Sequence, residues 1–170
     1  MSPIGSGRHQ RLHLLRGSPL FLDLHQDELE LIAELCQELE FGEGEIILQH
    51  GGPGGTLFIV VSGQAVVLRQ DDRGAESQLA VVGPGEFFGE MSVLDRSERS
   101  ATVRALRPVL CLALTTEDLY SFARIFMNGF TLVVINIARA LSRRLRMTTD
   151  QLMAVEGSSV VCKPPEGLPP

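Results

Sequence analysis

Apolar residues change their spacing twice along this chain. Between Gln26 and Gln37 they fall at Leu29, Ile32, Leu35 and Cys36, the interval of one helical face, with Asp23 or Gln26 placed to open the helix. From Glu38 the pattern breaks into short β-rich runs: Glu45–Gln49, Thr56–Ser62, Gln64–Arg69, Gln78–Val82, Ala101–Leu106 and Val109–Leu114. Glycines separate them at Gly42–Gly44, Gly51–Gly55, Gly63, Asp71–Gly74 and Gly83–Gly85. Short strands at such regular intervals predict a barrel or jelly roll, not βαβ units, with the glycines making the turns.

After Thr115 the helical period returns. Thr116 with Asp118 marks a helix start for a short helix over Thr116–Phe126, and a longer helix runs from Asn128 to Val155. The long helix carries a stripe at Val134, Ile137, Leu141, Leu145, Thr148 and Leu152. Steps of three and four make a narrow seam that fits either a second helix of another copy or the chain's own barrel. The expected class is therefore mainly β with flanking helices. Residues 1–18 form a flexible or helical lead-in, 19–155 one domain, and 156–170 a disordered Ser-, Pro- and Gly-rich tail.

Composition narrows the function. The 170 residues are 44% hydrophobic, enough for one core, but 5% aromatic with no Trp, so Leu and β-branched residues must fill it. The formal net charge is -6. An acidic chain lacks the basic footprint of a nucleic-acid surface, although one pocket can still hold a small anion. The three cysteines, Cys36, Cys111 and Cys162, include no CxxC pair. Reduced thiols and a cytoplasmic location follow as the expectation. The most apolar stretch, Phe130 to Leu141, is interrupted by Asn136 and Arg139, and membrane insertion is not expected.

The chemistry concentrates between Gly83 and Ala105, GPGEFFGEMSVLDRSERSATVRA. Phe87 and Phe88 anchor the segment in the core, and Gly89 and Glu90 open a short apolar turn of helix at Met91 to Leu94. A helix start offers free amides to an anion, and a glycine lets a ligand approach the backbone. Arg99 follows nine residues after Glu90, and an excursion at Asp95–Glu98 can fold it back over that start. Its guanidinium can grip two phosphate oxygens, and Ser100 adds a hydroxyl donor. Glu90 would repel a bare phosphate, whereas a ribose 2′-hydroxyl gives its carboxylate a donor. The bland alternative makes Glu90 a helix-end charge and Arg99 its surface partner.

The full string resembles the phosphate-binding cassette of the cyclic nucleotide-binding domain family. Phe88, Gly89, Glu90, Met91, Ser92 and Val93, then Arg99, Ser100, Ala101, Thr102 and Val103, match the family pattern throughout. The likeness extends over roughly Pro19 to Leu152 and implies a helix, an eight-stranded β jelly roll and two C-terminal helices, the last one long. It implies that Gly89 and Glu90 hold a ribose and that Arg99 and Ser100 hold a cyclic phosphate, with Phe88, Met91, Ser92 and Ala101 completing the ligand-binding segment. The run Arg143 to Thr149 is similar to the matching helix of catabolite activator protein. From this, Thr148 and Thr149 would read the base, Thr149 from a neighbouring subunit, and Arg144 would neutralise Glu90. An earlier family signature is present at Gly51 to Gly63 but departs at Gly52, where the family usually has an acidic or amide residue. That turn is expected to lie far from the cassette.

The resemblance implies a non-catalytic sensor whose ligand is cyclic AMP, with cyclic GMP as the alternative and no cofactor. Ser100 and Thr148 tilt the choice to cyclic AMP, since kinase domains preferring cyclic GMP tend to carry Thr after the arginine. Expected partners are a second copy through the long helix and an unknown effector protein, with no direct nucleic-acid contact. Three other readings compete. A cupin-like metal enzyme needs a close histidine pair, yet His9, His13, His25 and His50 include no His-x-His, and no nucleophile with a partnered base can be assembled. A fragment of a transcription factor would continue beyond the long helix into a DNA-binding domain. An interaction module with an idle pocket would usually have lost the arginine or the glutamate.

Overall fold

A computed structural model describes residues 8–70 and 74–157. The elements are α1 (Arg8–Gly17), α2 (Gln26–Leu35), β1 (Gln37–Phe41), β2 (Ile46–Leu48), β3 (Thr56–Ser62), β4 (Ala65–Gln70), β5 (Glu76–Val82), β6 (Phe87–Phe88), α3 (Met91–Asp95), β7 (Thr102–Ala105), β8 (Val109–Thr115), α4 (Thr116–Ile125) and α5 (Met127–Gly157). The eight strands form two four-stranded sheets, ordered β1-β8-β3-β6 and β2-β7-β4-β5, and every pairing is antiparallel. This is the jelly-roll sandwich that the strand spacing predicted.

The sandwich core is built by alternation. Phe58 and Val60 on β3, Ala65 on β4, Phe88 on β6, Val103 and Ala105 on β7, and Val109, Cys111 and Ala113 on β8 close one buried cluster. With few aromatics available, three phenylalanines line up: Phe58 stacks on Phe88 with ring centroids 5.3 Å apart and meets Phe41 edge-on at 6.4 Å. The intervening residues Leu57, Ile59, Leu112 and Leu114 are fully buried as well, so the β3–β8 layer is covered on both faces. On its outer side α4 packs against β8, α2 against α4, and α1 against α2.

Two turns of the same make connect strands across the sandwich. In Gly42–Glu45 and Gly83–Glu86 the first glycine amide donates to the glutamate Oε2 at 2.8 Å. The glutamate amide returns a bond to the glycine carbonyl at 3.1 Å. The third residue of each, Gly44 and Gly85, sits at a φ of 78° and 84°, which a side chain would strain.

Some local expectations needed adjusting. Two strands went unread: β1, whose QELEF sequence is too charged to look like a strand, and β6, only two residues long. The cap of α4 is Thr115, not Thr116: its Oγ1 accepts from the Asp118 amide at 3.1 Å, and its amide donates to Asp118 Oδ2 at 3.0 Å. A reciprocal box needs a spacing of three residues, which Thr116 and Asp118 lack. In α2, Gln26 is the first residue and the Glu28 carboxylate accepts from the His25 amide at 2.7 Å. Asp23 instead occupies a left-handed turn at a φ of 67°.

The lead-in is helical where it is described, from Arg8 to Gly17, and Arg11 Nε donates to Glu38 Oε1 at 2.7 Å. Its first seven residues, and the tail from Ser158, lie outside the described residues. Glu156 and Gly157, assigned to the tail from sequence, belong to α5. By compactness the chain divides after Ile137. In the first unit, Asn136 on α5 donates to the carbonyls of Leu20 and Leu22 at 3.1 and 3.0 Å, fixing the base of the long helix. In the second, from Ala138 on, α5 exposes Leu145, Met147, Leu152 and Met153. The stripe read from sequence thus splits: Ile137 is buried in the first unit, while Leu145 and Leu152 are exposed. Among the described residues no helix is long and apolar enough to cross a membrane.

Candidate functional site

The site begins where β6 ends. After Phe88 the chain turns through Gly89 at a φ of 81° and enters α3 at Glu90. Only glycine fits there: a Cβ would stand 2.8 Å from the Thr56 carbonyl oxygen and 2.9 Å from Arg99 Nη1. α3 closes at Arg96 in the left-handed conformation. Its guanidinium reaches the Tyr120 hydroxyl on α4 at 2.8 Å. Asp95 Oδ1 then accepts from the Ser97 amide at 3.0 Å and hydroxyl at 2.6 Å, turning the chain back. This is the excursion expected at Asp95–Glu98, and it delivers Arg99 to the start of α3.

Arg99 is only 6% exposed and its guanidinium is fully surrounded by acceptors on one side. Nε donates to the Pro53 carbonyl at 3.0 Å. Nη1 shares its two protons among three acceptors, the carbonyls of Thr56 at 2.9 Å and Gly89 at 3.1 Å and Ser92 Oγ at 2.8 Å. Nη2 takes part in none of these four bonds. The acceptors are neutral, so burial pulls the Arg99 pKa below its usual value, and the nearby Glu90 carboxylate partly offsets this by favouring the charged form. A buried cation held by dipoles is a natural place for an anion to dock.

Glu90 is 3% exposed and its side chain does not cap α3. The surface-pair reading of Arg99 fails, because both groups are buried, while Glu90 does stand at the N-cap position of α3 without a side-chain capping bond. Ser100 points the other way: it is exposed, and its hydroxyl contacts Met91 Sδ at 3.5 Å. Met91 is itself 42% exposed, so these two side chains line the open side of the segment. Phe88 is a core residue, stacked on Phe58, and Ala101 is half-buried at the entry to β7.

Ser92, expected among the ligand contacts, is 3% exposed and faces inward. Its hydroxyl accepts from Arg99 Nη1 and from the Gly55 amide at 3.2 Å, and it donates to the Gly89 carbonyl at 3.2 Å.

The β2–β3 turn is not far from the cassette, contrary to expectation; it is the other half of the site. The Gly51 amide donates to the Arg99 carbonyl at 2.9 Å, and the Arg99 amide to the Gly52 carbonyl at 3.0 Å. Pro53 and Thr56 supply two acceptors for the guanidinium, and Gly55 reaches Ser92. Gly54 lies so close that a Cβ would meet the Ser97 carbonyl and stand 2.6 Å from Ser92 Cβ. Backbone acceptors leave no mark in side-chain chemistry, which is why this turn was missed. The available signal was the density of glycine from Gly51 to Gly55, more than one tight turn requires.

Arg144, Thr148 and Thr149 belong to the second compact unit and are exposed on α5. The Thr148 hydroxyl donates to the Arg144 carbonyl and that of Thr149 to the Leu145 carbonyl, both at 3.0 Å. Such back-bonding parks a hydroxyl on its own helix. Among the described residues no group of three or more His, Cys, Asp or Glu is placed to hold a metal ion.

Known proteins give this geometry a context. The model of the "Cyclic nucleotide-binding domain" family matches residues 38–125. The chain is 40% identical over 132 residues to the cyclic AMP receptor protein of Thermus thermophilus, covering 78% of this chain and 59% of that one. The crystal structure of the Thermus thermophilus catabolite activator protein superposes with a TM-score of 0.72 at 38% identity, covering 82% of this chain and 63% of that one. Glutaminase 2 of Bradyrhizobium diazoefficiens is 35% identical over 127 residues, 74% of this chain but only 19% of the enzyme. The chain thus spans less than two thirds of the curated relatives it matches.

Proposed function

The chain belongs to the cyclic nucleotide-binding domain family, and on that premise we propose that it is a non-catalytic sensor that binds cyclic AMP in preference to cyclic GMP. The observation that carries this reading is the placement of Arg99. Its Nη1 meets the Gly89 carbonyl at 3.1 Å, and the Glu90 carboxylate is buried close enough to bias its charge. The cation that the cassette pattern assigns to the cyclic phosphate and the Gly-Glu pair it assigns to the ribose thus occupy one place. Neutral acceptors anchor the guanidinium from behind, and the Ser100 hydroxyl stands on the open side. Phosphate docks on Arg99 and Ser100, while Glu90 accepts from the ribose 2′-hydroxyl.

Preference for cyclic AMP rests on Ser100 directly after the arginine, on Thr148, and on the similarity to a cyclic AMP receptor protein. α5 is the output element. Thr148 and Thr149 turn to the base when ligand is present, and Arg144 neutralises Glu90. Ligand shifts α5 only as far as it binds one position of the helix better than the other, so these contacts carry the coupling. The exposed Leu145 and Leu152 continue the seam and provide the surface for a second copy.

Titration calorimetry with cyclic AMP and cyclic GMP, on the wild type and on Arg99→Ala, tests the reading. Binding that favours cyclic AMP and drops at least a hundredfold in Arg99→Ala, about 3 kcal/mol, is expected. Absence of binding by folded, ligand-free protein would make it an interaction module with an idle pocket.

A further inference from the structure

We infer that the Ser92 hydroxyl positions Arg99 and is not itself a ligand contact; the inference rests on the sensor reading above. A serine hydroxyl has one proton to give and two lone pairs to receive with. In Ser92 all three are used inside the protein. It receives from Arg99 Nη1 at 2.8 Å and from the Gly55 amide at 3.2 Å, and it gives to the Gly89 carbonyl at 3.2 Å. At 3% exposure the hydroxyl has no capacity left for a ligand.

These three bonds join the parts that must agree for an anion to be gripped. Gly89 belongs to the turn into α3, Gly55 to the β2–β3 turn, and Arg99 to the strand approaching β7. The other acceptors of Nη1 are backbone atoms, the Thr56 carbonyl on β3 and the Gly89 carbonyl in the turn that follows β6. Ser92 is the one side-chain acceptor among the four, and it is the shortest of the contacts. It fixes the roll of the guanidinium about Nε and so decides where Nη2 points.

The test uses Ser92→Ala and Ser92→Cys, the latter keeping a weak S–H donor in a slightly larger side chain while removing the strong acceptor. Each is titrated with cyclic AMP, alone and combined with Arg99→Ala. A loss of about tenfold in affinity is expected in both single variants, the scale of one hydrogen bond to a charged group. In the Arg99→Ala background the Ser92 substitutions should add less than about twofold, since the residue acts through the arginine. Wild-type affinity in Ser92→Ala, cysteine behaving as serine, or losses that simply add would each overturn the inference. A second measurement needs no ligand: the proton exchange of the Arg99 Nε–H group, followed by nitrogen-edited magnetic resonance. It should accelerate in Ser92→Ala while the rest of the amide spectrum holds. If the wild type binds no cyclic AMP, the sensor reading fails alone and this measurement still decides the role of Ser92; unchanged exchange overturns it.

Discussion

A methyl group on Gly89 would sit 2.9 Å from Arg99 Nη1: the glycine and the arginine divide a single space. The positive φ of 81° and this close approach are separate demands, and both exclude a side chain. Gly89→Ala is therefore expected to destabilise the fold by about 1–3 kcal/mol, the cost of strained backbone, and to weaken cyclic AMP binding more than its stability loss explains. Denaturant unfolding beside calorimetric titration separates the two. Unchanged binding would mean that the guanidinium has room elsewhere.

Glu90 gives a prediction that depends on the ligand's sugar. Glu90→Gln should weaken cyclic AMP by about tenfold, the scale of a charged hydrogen bond. It should have little effect on 2′-deoxy cyclic AMP, which lacks the partner hydroxyl. Equal losses for both ligands would remove the ribose from the account of Glu90.

Thr148 is expected to act on choice more than on strength. Its hydroxyl donates to the Arg144 carbonyl at 3.0 Å and keeps its lone pairs to accept from a base. Thr148→Ala should cost less than Arg99→Ala and should change the ratio of cyclic AMP to cyclic GMP affinity. An unaltered ratio would end its assignment to the base.

Burial pushes the thiols of Cys36 and Cys111 up to about 12, against an ordinary value of 9.0. Each is held protonated in the fold while the unfolded chain ionises it, so the folded state binds more protons above the ordinary value. Stability from this source is complete below pH 9 and falls as pH rises from about 9 toward 12. Urea midpoints measured at pH 8 and pH 10 should decline, and replacing both cysteines by alanine should flatten the decline. Thiol reagents should label neither residue in the folded protein at neutral pH.

The cassette was legible because its chemistry resides in side chains in one continuous segment. Gly89, Glu90 and Arg99 were singled out by their spacing together with the resemblance of the whole string to the family's cassette. The half of the site contributed by Gly52, Pro53 and Thr56 was hidden because it acts through carbonyl oxygens, which every residue has. The inward turn of Ser92 was not visible for a different reason: its position two residues after Glu90 says nothing about which neighbour its hydroxyl finds. Among the strands, β3 and β8 announced themselves by unbroken apolar runs, whereas β1 and β6 exist only through their partners, β8 and β3.

The span of the bonds around Arg99 has a consequence for how the domain folds. Pro53 and Thr56 lie 46 and 43 positions away along the chain, and Gly55 ties to Ser92 and Thr116 across 37 and 61. No local fragment can make these contacts, and closing such loops carries an entropy that only the completed sandwich offsets. This network around Arg99 is thus expected to be among the last features to assemble and among the first that any opening of the two sheets erases. A bound nucleotide would be stapled across the ends of both sheets, slowing proteolysis throughout the sandwich and not only at the cassette.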